Sequence, residues 1–420
     1  MRAAILFLAF FSLSFSAYVG EAVLQIEKTW RISPNGTITD VWLNGTFLAV
    51  NDFQEIRQMS VREGARFEQA GNEIYVIFEA PELSGERNIT AVAVVHTAYP
   101  LRITSNPPFQ GIPPQLAGGL ISYDEGIAAS ARQISLGKGE QLEVVAALSN
   151  WVNRYVSYDL SKWGDPAPAT KVFSSPAAVC VGYSHLFISM ARSLGFETRF
   201  VSGYAFAGDW QPHAWAEVKI GEEWVPVDPT FNEMGILDAR HIAAAYSNDQ
   251  GEVYDTMTAK GADFAFSTSI SFGTSEQRAF QNFLSPHTVL FGDGLEVIIF
   301  NPTDFYATPT YSLDMPDYIL PDDSRIIVIP PHSSIALRYT LNTAELEPGY
   351  THEIPYEISL QGAVFRDKLS YVKGFSANLV HAPLASEAQP TRRDSTCPVA
   401  AVFAFLLAAC ALSSLEKQVP

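Results

Sequence analysis

The sequence contains Ala178-Val-Cys180-Val-Gly-Tyr183, then His213-Ala-Trp215-Ala-Glu217, then Trp224-Val-Pro-Val-Asp228-Pro-Thr230, and these three stretches decide the fold. They present a cysteine, a histidine and an aspartate, the residue types that a thiol acyl-transfer site requires. In such a site the thiolate is the nucleophile, the imidazole moves the proton and the carboxylate orients the imidazole. We therefore take Cys180, His213 and Asp228 as the candidate catalytic residues.

The second and third stretches read as a β-hairpin that brings the histidine and the aspartate to one face. Gly221-Glu222 separates two strand-like runs at 214–220 and 223–228. A two-residue loop pairs Ile220 with Glu223 and makes Asp228 the diagonal neighbour of His213, at ~7–8 Å between backbones. A three-residue loop would put the two on opposite faces, and a bulge would also change the register.

The cysteine stands near the start of a predicted helix that Gly195 ends. If the helix begins at Pro176, Cys180 falls in its second turn, where the helix dipole acts weakly on a thiolate. If the helix begins near Cys180, the dipole acts strongly, and the backbone N–H of Cys180 is also available to an oxyanion. We favour the second alternative.

The ordered pattern resembles the transglutaminase-like superfamily, the papain-related group of transglutaminases, cysteine-protease relatives and peptide N-glycanases. The matching residues, within roughly Gln110–Gly273, are Cys180 and Tyr183, Ala191-Arg192, Gly195, Arg199, Gly203-Tyr204, His213-Ala-Trp215 with Glu217, and Trp224 with Asp228-Pro-Thr. The resemblance implies that Cys180 is the nucleophile, His213 the general base and acid, and Asp228 the orienting acid.

Five further residues of the pattern are predicted to support the site: Tyr183, Tyr204, Trp215, Glu217 and Trp224. We interpret the aromatic residues as core or cleft-wall side chains and the glutamate as a salt-bridged strand residue. The chain departs from the family where Pro176–Val179 replaces the Arg-x-Gly that often precedes the cysteine. The side chain that stabilises an oxyanion is unassigned, with Tyr158 and Trp163 as upstream candidates.

Composition excludes several classes of protein. The chain has 420 residues, a net charge of −18 and three cysteines, with 17% charged and 12% aromatic residues. The negative charge argues against a nucleic-acid partner, because such binding requires a basic face. The aromatic content is too high for a disordered chain. The cysteines form no CxxC pair, so we predict neither a disulfide scaffold nor a metal site, and we expect no cofactor.

Both ends of the chain are apolar. Residues 1–22 read as a secretory signal peptide, with cleavage after Ser16 or Ala22, although a buried N-terminal element is the alternative. Residues 398–415 read as a C-terminal membrane anchor preceded by a stalk at 384–397. A processed anchoring signal or a terminal core helix would give a similar pattern. The interpretation places the body of the protein at the cell surface, outside the cytoplasm.

The body divides into three predicted domains of an α+β protein. Residues 23–105 form an N-terminal β domain carrying glycosylation sequons at Asn35, Asn44 and Asn88. Residues 106–280 form the papain/transglutaminase-like core, a helix carrying the cysteine packed on an antiparallel sheet. Residues 281–383 form an immunoglobulin-like β-sandwich, although the immunoglobulin cysteines are missing.

The predicted function is that of an exported, membrane-anchored thiol enzyme acting on amide or peptide bonds through a thioester. Its substrate would be a protein, a peptide or a cell-envelope amide, and the membrane is its second partner. Hydrolysis is favoured over cross-linking, since the sequence identifies no amine-binding cleft. The alternative is an inactive surface adhesion or scaffold protein that uses the same fold for binding.

Overall fold

The computed structural model describes residues 18–100, 102–111, 113–252, 254–374 and 379–380. The apolar run of the predicted signal peptide, the stalk and the C-terminal anchor lie outside these ranges, as do Cys397 and Cys410. Within the described ranges, no helix combines the length and the apolar character needed to cross a membrane.

The N-terminal β domain starts earlier than predicted. Its first six strands are β1 (Val19–Pro34), β2 (Ile38–Ala49), β3 (Gln54–Val61), β4 (Arg66–Ala70), β5 (Glu73–Leu83) and β6 (Arg87–Ala98). Val19 and Ala22 are buried, and Ala22 pairs with Thr97 of β6. The predicted boundary after residue 22 is therefore wrong for the fold, and cleavage after Ser16, unlike cleavage after Ala22, would leave β1 whole.

The core follows with four helices and seven strands. Their bounds are α1 (Glu125–Ser135), α2 (Gln141–Tyr155), β7 (Ser157–Tyr158), α3 (Ala169–Ser174), β8 (Ala177–Ala178), α4 (Cys180–Ser193), β9 (Thr198–Phe206), β10 (Trp210–Ile220), β11 (Glu223–Asp228), β12 (Glu233–Met234) and β13 (His241–Ser247). Short 3₁₀ turns occupy Gly119–Ile121, Leu160–Lys162 and Gln250–Glu252.

One antiparallel sheet of order β12-β11-β10-β9-β13 forms the centre of the core. Helix α4 packs on it through a shared apolar cluster that includes Phe187 and Met190 of the helix and Ala216 and Val218 of β10. The remaining helices pack around α4. Helices beside antiparallel sheets agree with the predicted α+β class.

The chain then returns to the N-terminal domain. Strand β14 (Thr256–Gly261) pairs with β2, and β15 (Phe264–Ala279) pairs with β1 along its length. The described strands thus form two facing sheets, β15-β1-β6-β3 and β14-β2-β5-β4. The predicted core boundary at residue 280 is therefore wrong for residues 256–279. Alternating apolar residues such as Phe264 and Phe266 bury against the N-terminal core, and the sequence gives no local sign of so distant a partner.

Residues after 280 form a second sandwich. Its strands are β16 (Ser285–Phe291), β17 (Gly294–Asn301), β18 (Thr310–Asp314), β19 (Asp323–Ile326), β20 (Ser333–Thr340), β21 (Thr351–Leu360), β22 (Ala363–Val372) and β23 (Leu379–Val380). They form sheets of order β20-β17-β16-β23 and β19-β18-β21-β22 around one apolar cluster. The immunoglobulin-like assignment stays a prediction.

The three sequons differ in accessibility. Asn35 is exposed in the turn after β1, and Asn88 is exposed at the start of β6. Asn44 lies inside β2, where its neighbours are Ile77 of β5 and Thr256 of β14, and its Oδ1 atom is buried. Glycosylation at Asn35 and Asn88 remains a prediction, whereas the sheet encloses Asn44 on both sides.

We predict that Gly203→Ala destabilises the core. A Cβ atom at Gly203 would lie 2.0 Å from the carbonyl oxygen of Ile242 and 3.0 Å from the ring of Trp215. Separating β9 from β13 to relieve this contact should cost about 1–3 kcal/mol, measurable as a lower thermal midpoint. Gly85→Ala is the control, because the structure places nothing within 4 Å of its added Cβ. Equal midpoints for the two variants would contradict the prediction.

Candidate active site

Cys180 is the first residue of α4. The preceding residue, Val179, has the extended backbone of a helix cap (φ −92°, ψ −179°), and Cys180 itself is only 3% exposed. The helix therefore begins at the cysteine and not at Pro176. The N–H groups of the first helical turn and the positive end of the helix dipole lie at this position. Ser184 fixes the helix by donating hydrogen bonds to the carbonyls of Cys180 and Ala214.

His213 and Asp228 meet across the predicted hairpin. Ile220 pairs with Glu223 and Ala216 with Val227, which is the register of a two-residue loop. The Nε2 atom of His213 lies 2.7 Å from Oδ2 of Asp228. The side chain of Cys180 interacts with the same imidazole and contributes, after Asp228, to raising its pKa. The structure thus brings the three candidate catalytic side chains together in the order thiol, imidazole, carboxylate.

The carboxylate of Asp228 is completely buried and fully hydrogen-bonded. Its Oδ1 atom accepts from the backbone N–H groups of Thr230, at 2.7 Å, and Phe231, at 3.2 Å. Its Oδ2 atom accepts from His213 and also lies 3.2 Å from Nε2 of His241. The Asp-Pro-Thr turn therefore closes on its own aspartate, and the two histidines complete the shell of donors.

Opposite charges outweigh burial in this pair. Burial alone would raise the pKa of Asp228, but the charge and hydrogen bonds of His213 and then of His241 lower it well below its ordinary range. Burial alone would lower the pKa of His213, but Asp228, with a smaller contribution from Cys180, raises it to about 10. At neutral pH the imidazolium and the carboxylate are therefore the favoured forms.

One of the predicted supporting residues, Trp215, lies against His213, and a second, Tyr183, anchors the helix that begins at Cys180. The ring of Trp215 is buried and stacks on His213, with centroids 6.1 Å apart. The hydroxyl of Tyr183 donates to the carbonyl of Val156, and its ring lies 6.2 Å from that of Tyr158. Trp215 holds the plane of the imidazole, whereas Tyr183 ties α4 to the end of α2.

The other three predicted supporting residues make contacts outside the triad. The ring of Tyr204 packs on Phe272 of β15, at 5.3 Å. Glu217 accepts a hydrogen bond from Nε of Arg199 at 2.8 Å, the salt bridge that the sequence predicted. The same guanidinium lies 4.3 Å from the ring of Trp224. These side chains stabilise the sheet and its junction with the N-terminal domain.

Tyr158 is the upstream aromatic that the structure places beside the nucleophile. Strand β7 runs parallel to β8, pairing Tyr158 with Ala178, and the N–H of Asp159 donates to the Ala178 carbonyl at 3.0 Å. The side chain of Tyr158 is 47% exposed. Burial, followed by the charges of Cys180 and Asp228, raises its pKa to about 12, so its hydroxyl stays protonated and available as a donor.

His241 and Phe231 were not predicted from the sequence. The ring of Phe231 stacks on His213, with centroids 4.7 Å apart and planes within 15°. His241 begins β13, which pairs with β9 and not with either strand of the hairpin. A phenylalanine three residues after the aspartate offered a local signal. The contact of His241 with Asp228 depends on tertiary structure, and the sequence offered no local signal for it.

His213, Asp228 and His241 offer atoms that converge as metal ligands do, all within 4.8 Å of one another. The separations to the Asp228 oxygen are 2.7 Å and 3.2 Å, which are hydrogen-bond lengths. A tetrahedral ion bound at ~2.0–2.2 Å holds its ligand atoms ~3.3–3.6 Å apart. The spacing therefore fits protons between these groups better than it fits a metal ion.

Comparison with known proteins agrees with the motif pattern. Residues 128–229 match the model of the transglutaminase-like superfamily, which confirms for this segment the resemblance drawn from the sequence. The match runs from α1 to the residue after β11 and includes Cys180, His213 and Asp228. No curated protein matches the chain.

Three solved structures resemble the fold at low identity. A candidate cysteine protease from Cytophaga hutchinsonii is 14% identical, with 62% of this chain and 94% of that chain covered and a TM-score of 0.46. A transglutaminase is 14% identical, with coverages of 45% and 51% and a TM-score of 0.21. Red sea bream transglutaminase is 9% identical, with coverages of 82% and 78% and a TM-score of 0.21.

We predict that the His213–Asp228 pair makes the fold less stable at alkaline pH. Because folding raises the pKa of His213, its stabilisation is complete below the unfolded value of ~6.5 and disappears as the pH rises through about 10. The urea midpoint of the wild type should therefore fall over this window relative to that of His213→Gln.

His185→Gln is the matched control for this measurement. His185 is also buried, but burial lowers its pKa. Protonation of this histidine in the unfolded chain therefore destabilises the fold only below pH ~6.5. Its variant should keep the alkaline decline of the wild type. An equal decline in wild type and His213→Gln would refute the proposed charge pair.

Proposed function

We propose that this chain, whose residues 128–229 match the transglutaminase-like superfamily, is a thiol enzyme that acts on amide or peptide bonds through a thioester on Cys180. The observation that carries the proposal is the 2.7 Å contact of His213 with Asp228. Cys180 stands at the helix start, and its side chain contributes to the raised pKa of the same histidine. A favoured imidazolium beside a thiol at a helix start is the arrangement that activates a cysteine nucleophile.

The reaction would proceed in two halves. The thiolate of Cys180 attacks the substrate carbonyl, a C–S bond forms, and the imidazolium of His213 gives its proton to the departing amine as the C–N bond breaks. Neutral His213 then takes a proton from water, whose oxygen attacks the thioester. The C–S bond breaks, the acid leaves, and the thiolate of Cys180 and the imidazolium of His213 are restored. Asp228 keeps the imidazole oriented and stabilises its charged form.

An oxyanion forms in both halves of the reaction. The backbone N–H of Cys180 is free at the start of α4, and the Tyr158 hydroxyl is the second donor we assign. Two such donors aimed at the developing charge stabilise the transition state more than the ground state.

We place the enzyme at the cell surface, exported and held by a C-terminal membrane anchor. The sequence features at 1–22 and 398–415 support this placement. A protein, a peptide or a cell-envelope amide is the substrate class, and water is the favoured acceptor over an amine. The low exposure of Cys180, at 3%, favours the alternative of an inactive adhesion or scaffold protein.

We predict that iodoacetamide alkylates Cys180 in the folded protein at pH 6, where less than about 1% of an ordinary thiol is ionised. Peptide mapping distinguishes it from Cys397 and Cys410, and Cys180→Ala removes the label. His213→Gln should slow the reaction about tenfold or more, because it removes the imidazolium that stabilises the thiolate. An unreactive Cys180 in folded protein would count against the enzyme.

An activity screen separates the enzyme from the scaffold. Peptide, glutamine and cell-wall amide substrates are offered with and without a primary amine, and released acid, ammonia and amide adducts are measured. Turnover lost in Cys180→Ala supports the enzyme, and the product identifies water or amine as acceptor. Wild type indistinguishable from Cys180→Ala on every substrate would support the scaffold.

We predict that Tyr158→Phe lowers kcat/KM about 10²-fold, the usual effect of removing one oxyanion donor. Alkylation of Cys180 by iodoacetamide forms no oxyanion and should therefore be unchanged. Trp163→Phe, at the other upstream candidate, is the control and should retain wild-type kcat/KM. A loss of alkylation in Tyr158→Phe would point to a disturbed cysteine instead of a missing donor.

A further inference from the structure

Two histidines share one oxygen of the triad carboxylate. His213 approaches Oδ2 of Asp228 at 2.7 Å from β10, and His241 approaches the same atom at 3.2 Å from β13. His241 is 1% exposed, and its other nitrogen, Nδ1, lies 2.9 Å from the backbone carbonyl of Asp238. The proposed mechanism assigns His241 no task, although it contacts the carboxylate that the mechanism requires.

Hydrogen bonding fixes the protons of His241. A backbone carbonyl only accepts, so Nδ1 of His241 must carry a proton. The Oδ2 atom of Asp228 also accepts, so Nε2 would present a lone pair to a buried anion unless it too carries a proton. That proton could reside on Asp228 instead, but two backbone N–H groups already stabilise the carboxylate, and imidazole is the stronger base. The two contacts therefore favour a His241 that carries a proton on each nitrogen.

We propose that His241 is a positioning residue, a buried imidazolium that holds Asp228 in place and weakens the hold of His213 on its proton. The proposal rests on the proposed function, since it concerns the base of that reaction. His241 acts on His213 in two ways. Its positive charge offsets part of the negative charge of Asp228. The same positive charge repels a positive charge on His213, whose ring centroid lies 5.5 Å away.

The neighbouring charged groups leave this effect in place. Asp238 is occupied by Arg240, whose Nε and guanidinium nitrogen donate to its two oxygens at 2.7 Å and 2.6 Å. Burial, with the charges of Asp238 and Asp228, raises the pKa of Glu233 well above its ordinary value, which favours its neutral form. Burial likewise raises the pKa of Tyr99, whose hydroxyl donates to the His241 carbonyl. Asp228 is thus the anion that His241 offsets.

The effect has a chemical use. An aspartate that bonds a single histidine raises the proton affinity of that histidine. The neutral imidazole, which is the form needed to activate water, then becomes scarce at neutral pH. A general base works best when its pKa lies near the working pH. A second cation on Asp228 lowers the proton affinity of His213 without removing the hydrogen bond that orients it. Thioester hydrolysis is the half-reaction that gains, because it begins with neutral His213.

Phenylalanine is a suitable replacement for His241. The ring lies edge-on to Trp215 at 5.3 Å and to Phe231 at 5.7 Å, so an aromatic side chain retains these contacts. His241→Phe then removes both the hydrogen bond and the charge, whereas His241→Gln retains an N–H donor and removes only the charge. His185→Phe is the matched control, a buried histidine whose Nδ1 also faces a backbone carbonyl.

The experiment is an NMR titration of His213 in full-length protein with isotope-labelled histidine, assigned with His213→Gln. The titration midpoint of His213 should rise by about 1–2 pH units in both His241→Phe and His241→Gln, as expected for losing a like charge at this distance. It should stay unchanged in His185→Phe. The ¹⁵N shifts of His241 in the wild type at pH 7 should show protons on both nitrogens.

Each contrary result overturns the proposal by itself. The second cation is absent if the ¹⁵N shifts show no proton on Nε2 of His241. It is also absent if the titration midpoint of His213 stays the same or falls in His241→Phe. A wild-type midpoint in His241→Gln would mean that a neutral donor suffices. If His241→Phe does not fold, the Gln variant and the wild-type ¹⁵N shifts still decide. Failure of the proposed function appears separately, as an unreactive Cys180, because this titration requires no turnover.

Discussion

The site depends on a carboxylate that has been taken completely out of water. Removing a carboxylate from solvent costs several kcal/mol even after the protein relaxes, and hydrogen bonds must offset that cost. Asp228 has four polar contacts: two backbone N–H groups of its own turn donate to Oδ1, and Nε2 of His213 and Nε2 of His241 lie against Oδ2. Each donor comes from a fixed backbone position, so the aspartate constrains the geometry of β10, the turn after β11 and the start of β13.

That constraint requires a curved sheet. Strands β11 and β13 are three steps apart in the sheet order, or ~14 Å if the sheet were flat, yet His241 and Asp228 touch. Two features between them allow the sheet to curl. Gly203 of β9 lacks the Cβ that would meet β13, and the β9–β13 pairing shifts register between Ala243 and Ala245. The sandwiches hold the connection to β13 from both sides, with Val19 donating to Asp238 and Thr310 to the Asn232 carbonyl.

The local sequence pattern was sufficient to predict the β10–β11 hairpin and the start of α4. It was not sufficient to predict contacts between residues that are distant in the sequence. A two-residue loop fixes strand parity, so the His213–Asp228 bond was predictable from Gly221-Glu222. The start of α4 at Cys180 followed from the choice between two local alternatives. The return of β15 to β1 joins residues more than 200 positions apart. Neither that pairing nor the contact of His241 with Asp228 leaves a periodicity or spacing that sequence can show.

Burial within the triad also indicates from which side a substrate would arrive. Asp228 is fully enclosed, His213 is 8% exposed and Cys180 is 3% exposed, whereas Tyr158 on β7 is 47% exposed. In the proposed reaction, a substrate carbonyl would therefore approach the sulfur past β7 and β8, where two parallel backbone segments meet the start of α4. The two groups proposed as oxyanion donors, the Tyr158 hydroxyl and the Cys180 N–H, belong to the same segment. The proposal therefore places substrate entry and oxyanion stabilisation together, where β7 and β8 meet the start of α4.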